Sequence, residues 1–221
     1  RHPRGSHREI GLHRPLDRDG GSESRLKWRM ESLFVSTGAV ALAEIGDKTQ
    51  LLAFLLATRF KKPVPIIAGI LVATILNHAL AGALGAWITA VLSPEVLRWI
   101  LGLSFLGMAV WTMIPDKIEE EEMQVARKFG VFGATLITFF LAEMGDKTQI
   151  ATVAMAAHYP DPVLVVIGTT LGMLIADVPA VFIGDRFAAR IPMKPVHGIA
   201  AAMFAVMGLA TLFGMGVSFG F

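Results

Sequence analysis

The sequence predicts an all-α polytopic membrane protein with six transmembrane helices, arranged as two inverted three-helix repeats. Three observations carry this. Hydrophobic residues make up 54% of the chain and the mean hydropathy is +0.59, more apolar surface than one soluble core of this length uses. From Leu33 onward, charges gather in short stretches between long apolar runs, with two exceptions, whereas a soluble protein spreads them over every helix. The block AEIGDKTQ at 43–50 returns as AEMGDKTQ at 142–149.

The first 29 residues carry eight Arg and Lys and are rich in Gly, Ser, His and Pro. They show no apolar periodicity and are expected to be disordered. They lack the apolar run of a secretory signal, and their acidic residues do not suit an organellar transit peptide. Met30 stands just before the first apolar run like a natural start, so 1–29 reads as a non-native basic extension; a nucleic-acid-binding arm is the minor alternative, and no nucleic-acid partner is expected.

A helix crosses a bilayer with about 20 apolar residues. Spans are read at 33–57, 64–92, 95–114, 130–157, 162–184 and 195–219. Lys61-Lys62-Pro63 and Ser93-Pro94 part the first three, and His158 to Pro162 and Arg190-Ile191-Pro192 part the last three. Proline near a helix start fits its missing donor. The resulting organisation is a first repeat at 31–115, an acidic loop at 116–129 containing Glu119 to Glu122, and a second repeat at 130–221.

The offset of 99 residues that relates the two motifs also aligns Gly69 with Gly168, Gly85 with Gly184, Phe105 with Phe204 and His78 with Asp177. Three spans per repeat force the second repeat to enter from the opposite side, the arrangement of transporters whose substrate site lies at the midplane. Arg59, Lys61, Lys62, Lys117, Arg127, Lys128, Arg186, Arg190 and Lys194 fall on one side and only Arg98 on the other. The positive-inside rule then places the acidic loop in the cytoplasm and both termini outside.

Each repeat puts Glu, Asp and Lys inside an apolar span: Glu44, Asp47 and Lys48, then Glu143, Asp146 and Lys147. Each costs about 2.5–3.5 kcal/mol at a helix centre, so six facing lipid would cost on the order of 15–20 kcal/mol. They are therefore expected to face the bundle interior. Glu44, Asp47 and Lys48 stand at i, i+3 and i+4 and are expected to share one helical face. Gly46 and Gly145 invite close approach or local unwinding, which would free backbone carbonyls as ligands.

The carboxylates Glu44, Asp47, Glu143 and Asp146 make an oxygen-rich cage suited to Mg²⁺, Ca²⁺ or Mn²⁺. Lys48, Thr49, Gln50, Lys147, Thr148 and Gln149 support it, and Asp177 is a candidate relay or further ligand. With no cysteine in the chain, thiolate chemistry is excluded. Four carboxylates against two ammonium groups leave a net of −2, matched by one divalent cation. Such crowding cannot stay fully ionised in a bilayer, so the empty site should hold protons. A site that exchanges protons for a cation is the core of an antiporter. The bland alternative is that Glu44–Lys48 and Glu143–Lys147 are i, i+4 pairs that merely hold helices together. That would leave two buried aspartates uncompensated. His78 and Asn77 read as satisfied interior residues, Glu119 to Glu122 as a solvated loop, and Asp185 and Arg186 as interfacial anchors.

The paired E-x-G-D-K-T motifs, each in the first span of a three-helix repeat, resemble the signature of the small six-helix cation exchangers. That family includes the MneA-type bacterial manganese exporters and the Golgi manganese/calcium–proton exchanger. The resemblance covers 31–221 and implies export of Mn²⁺ or Ca²⁺ as transported substrate, not cofactor, with protons as counter-ion. On it, the motif positions are Glu44, Gly46, Asp47, Lys48 and Thr49 with Glu143, Gly145, Asp146, Lys147 and Thr148, and the short form suggests a bacterial inner membrane. A divalent cation channel is the alternative, with an intramembrane carboxylate enzyme behind it.

Overall fold

The computed structural model describes residues 20–114, 129–183 and 193–214, and all its regular structure there is helical. In chain order the helices are α1 (Gly20–Glu44), α2 (Lys48–Phe60), α3 (Pro63–Val91), α4 (Pro94–Trp111), α5 (Gly130–Glu143), α6 (Lys147–His158), α7 (Pro162–Ile183) and α8 (Met193–Leu212). Four of these, α3, α4, α7 and α8, are each long and apolar enough to cross a membrane. The expected first span of each repeat is instead a broken pair, α1 with α2 and α5 with α6, interrupted at the motif. The acidic loop with Glu119 to Glu122, and Asp185 and Arg186, lie outside the described residues.

Residues 20–29, expected to lack structure, are helical as the start of α1. Extending a helix already nucleated by the apolar run adds one hydrogen bond per residue fixed, and Glu23 to Arg29 offers no Gly or Pro to stop it. Arg29 also reaches Asp161 at 3.6 Å.

Each half packs its broken span against the second span of the other half. Gly168 on α7 lies so close to α1 that a Cβ there would stand 2.7 Å from the Leu33 carbonyl oxygen; Gly69 on α3 would meet the Phe132 carbonyl of α5 at 2.9 Å. Leu33 and Phe132 are themselves one repeat apart, so the duplication extends from sequence to tertiary contact. Small residues let helix backbones approach where lipid provides no hydrophobic drive between helices. The third spans pair with one another: a Cβ on Gly102 of α4 would lie 3.2 Å from the Gly208 carbonyl oxygen of α8.

Two apolar cores flank the motifs. One joins Ala39, Val40 and Ala43 of α1, Leu97, Leu101 and Phe105 of α4, Ala151, Ala154 and Met155 of α6 and Phe204 of α8. The other joins Leu52 and Leu56 of α2, Ile66 and Ile70 of α3, Phe139 of α5 and Val181 of α7. Between them lies the layer of charged side chains.

Candidate cation site at the helix breaks

Both motifs break their helix by the same device. Gly46 and Gly145 take left-handed backbone angles, φ 84° and 78°, a region open to glycine without steric cost. The following aspartates are extended, Asp47 at φ −83°, ψ 174° and Asp146 at φ −73°, ψ 165°, and each occupies the N-cap of the next helix. The break ends one helix at a glutamate and starts the next at a lysine. Glu44, Asp47 and Lys48 therefore do not share a single helical face, contrary to the continuous-helix expectation.

The glutamines hold the break open. Gln50 accepts from the Gly46 amide at 2.9 Å and donates to the Ala176 carbonyl at 2.8 Å. Gln149 accepts from the Gly145 amide at 2.7 Å and donates to Asn77 Oδ1 at 3.3 Å. Asn77 in turn donates to the Phe140 carbonyl at 3.1 Å, so it is a bracing residue between α3, α5 and α6. Both brackets tie a motif to the second span of the opposite half.

The lysines also reach across. Lys147 Nζ lies 2.8 Å from Asp47 Oδ2, with both side chains 1% exposed. Lys48 Nζ lies 3.5 Å from Asp146 Oδ1. The aspartates are thus compensated crosswise, each by the lysine of the other half. The break causes this, because reorienting the chain between Glu44 and Lys48 separates residues that an unbroken helix would stack.

The glutamates take different partners. Glu44 accepts from the Thr49 hydroxyl at 2.5 Å and Glu143 from the Thr148 hydroxyl at 2.9 Å. In each, the other oxygen, Oε1, is buried with no hydrogen-bond partner. Asp146 accepts weakly from the Thr148 amide and hydroxyl, both at 3.4 Å. Glu44, Glu143 and Asp146 each offer one oxygen, and the three oxygens lie within 4.8 Å of one another. That convergence is what a small hard cation requires, since buried carboxylate oxygens facing each other without a bridging proton or cation repel. Asp47, the fourth expected ligand, is on Lys147 and outside this trio.

Asp177 is fully buried, and neither oxygen has a hydrogen-bond partner; the same holds for both nitrogens of His78, one repeat earlier. His78 is therefore not the satisfied interior histidine expected. His197 on α8 was not singled out by sequence, yet its Nε2 lies 2.9 Å from the Ile45 carbonyl freed by the first break. The available signal was its register, one repeat beyond Arg98.

These features define a polytopic membrane protein with a buried carboxylate site assembled from two repeats. The family model described as divalent cation/proton antiporter GDT1 matches residues 32–120 and 131–217. A Vibrio cholerae protein named "Putative manganese exporter" is 52% identical over 185 residues, covering 83% of this chain and 92% of its own length. A rice protein named GDT1-like protein 3 is 29% identical, covering 83% of this chain and 74% of its own. The Saccharomyces cerevisiae divalent cation/proton antiporter GDT1 is 25% identical over 248 residues, covering 88% and 86%. No solved structure matches the chain. The chain belongs to the GDT1 family of divalent cation/proton antiporters; it is a transport protein and not an enzyme.

Proposed function

We propose that this protein exports Mn²⁺ in exchange for protons, through a single site at the two helix breaks, with Ca²⁺ as the competing substrate. The observation that carries this reading is the convergence of Glu44, Glu143 and Asp146 oxygens within 4.8 Å. Three carboxylates from both repeats meet there inside an apolar bundle. All-oxygen ligation suits Mn²⁺ and Ca²⁺, and the name of the 52%-identical relative favours manganese.

The charge count supplies the coupling. Among the described residues, Glu44, Glu143 and Asp177 have no cationic partner within salt-bridge distance, while Asp47 and Asp146 face lysines. Three buried carboxyl groups without counter-charge require protons in a low-dielectric interior. A divalent cation entering the trio displaces those protons, and protons returning from the far side release the cation. Asp177 serves as the group that passes protons between the trio and the aqueous face. The crosswise Lys–Asp pairs hold the two motifs in register, and Asp47 exchanges between Lys147 and the cation during the cycle. On the positive-inside rule the α2/α5 side, bearing Arg59, Lys61 and Lys62, is cytoplasmic in an inner membrane with both termini external.

A channel is the second reading. The Lys147–Asp47 pair, buried across the centre of the bundle, opposes the continuous wet path that a channel needs. The test is purified protein in proteoliposomes with a set pH gradient and Mn²⁺ or Ca²⁺ on one side. Antiport predicts that the proton gradient drives metal uphill and that metal movement acidifies or alkalinises the lumen. Metal flux that only follows its own gradient, with no pH change, favours the channel.

A further inference from the structure

The repeats are symmetric in their broken spans and second spans, but not in how the third spans sit on them. α4 packs on α6, and α8 packs on α1; among the described residues neither has more than passing contact with α2 or α5. Among the described residues, the first apolar core accordingly contains α4 and α8 side chains, whereas the second, on the α2/α5 side, contains none. An exact inverted repeat would treat the two sides alike, and the third spans do not.

Three local contacts say the same. His197 covers the Ile45 carbonyl at 2.9 Å, while Met144, the counterpart of Ile45, is 56% exposed. Arg98, the counterpart of His197, has a buried Nε with no hydrogen-bond partner. On the α1/α6 side, Phe105 stacks edge-on against His158 with ring centroids 5.8 Å apart, and His158 meets Tyr159 at 4.8 Å. The residues one repeat away are Phe204, Arg59 and Phe60. Arg59 already lies over the Phe60 ring at 5.7 Å, but Phe204 is buried in the first core with α4.

We propose that the α4–α8 pair moves as a unit between the two sides of the site, with His197 and Arg98 as alternating latches on the Ile45 and Met144 carbonyls. In the structure described, His197 is latched and the Phe105–His158–Tyr159 cluster is packed together on the α1/α6 side. In the second arrangement Arg98 caps the exposed end of α5 at Met144, and Phe204 closes on Arg59 and Phe60 at the α2/α5 side. Both latches are cations or hydrogen-bond donors set at a helix C-terminus, where carbonyls lack donors and the helix dipole favours positive charge. The two arrangements use repeat-related positions on opposite sides of the site, and a cation bound there can bias one against the other. This movement rests on the exchange reading above and supplies its alternating access.

The absence of cysteine from the chain makes the test clean. Gly38→Cys with Met203→Cys reports the arrangement described, because a Cβ at Gly38 has only Met203 Cε nearby, at 3.9 Å. Their repeat counterparts, Ile137→Cys with Ser104→Cys, report the second. Both double variants are reconstituted in proteoliposomes, treated with a short bis-methanethiosulfonate, which joins two thiols through reducible disulfides, with and without Mn²⁺, and assayed for crosslinking and flux. Both pairs should crosslink, Mn²⁺ should shift their ratio, and each crosslink should stop proton-coupled flux until reductant restores it. His197→Ala should raise the 104/137 crosslink relative to 38/203, and Arg98→Ala the reverse, by roughly two- to tenfold for one lost hydrogen bond. If proton-coupled flux is normal in the parent and the 104/137 pair never crosslinks, the movement is wrong and the exchange reading stands. If both pairs crosslink but metal flux is never proton-coupled, the movement stands and the exchange reading falls.

Discussion

Lys147 Nζ sits 2.8 Å from Asp47 Oδ2, and this pair joins the motif of the second half to that of the first inside the apolar bundle. Truncating one member of a buried pair costs about 3–5 kcal/mol, chiefly because the other charge is stranded. Lys147→Met should therefore lower the unfolding temperature in detergent sharply. Lys48→Met should lower it less, because the Lys48–Asp146 pair is longer, at 3.5 Å, and Lys48 is 18% exposed. Adding Asp47→Asn to Lys147→Met should recover part of the loss. Equal effects of the two lysine changes would argue against the crosswise pairing.

Thr49 and Thr148 orient the glutamates, each donating its hydroxyl to one carboxylate oxygen so that the other faces the trio. Losing such a supporting bond typically costs roughly 10–100-fold in metal affinity. Thr148→Val should show that loss in equilibrium Mn²⁺ binding, with the unfolding temperature of the metal-free protein little changed. Unaltered affinity would remove Glu143 from the ligand set.

The two aspartates should separate binding from transport. Asp146→Asn removes a member of the oxygen trio and should weaken Mn²⁺ binding far more than Asp47→Asn does, with flux abolished. Asp47→Asn should abolish flux while leaving measurable binding. The double variant should be no worse in flux than either single one, since groups acting as a unit are not additive. Multiplicative losses in flux would indicate two independent sites.

Much of this arrangement was legible in the residues, for energetic reasons. Charges inside apolar spans are too costly to be incidental, so Glu44, Asp47, Lys48 and their counterparts were expected to face one another, and the structure gathers them at the two helix breaks. The repeated block marked the symmetry that Gly69 and Gly168 reproduce in space. Gly46 pointed to an unwound stretch, but not to its consequence. Spacing assumes a continuous helix, and the left-handed Gly46 and extended Asp47 redirect the chain so that lysines meet the aspartates of the other half. The one-sided seat of α4 and α8 was not legible either. It is set by long-range contacts of α4 with α6 and of α8 with α1, which a duplicated pattern of residues does not distinguish from their repeat counterparts.

Orientation has its own test. Nine of the ten loop Lys and Arg lie on one side of the reading above, with Arg98 alone on the other. A reporter fused after Phe221 should be external, and one inserted within Glu119–Glu122 should be cytoplasmic. A cytoplasmic C-terminus would reverse the direction assigned to export.

The most direct measurement of the central claim is the number of protons released when Mn²⁺ binds. Calorimetric titrations at pH 6 and pH 8, each in buffers of different ionisation enthalpy, give that number from the dependence of the observed heat on the buffer. Carboxyl groups without counter-charge around the trio must lose protons to the cation, so affinity should fall as pH falls. At least one proton should leave per metal bound. Glu44→Gln and Glu143→Gln should each release fewer, and should lose gradient-driven export more completely than they lose binding. Binding that releases no protons at either pH would contradict proton exchange at this site.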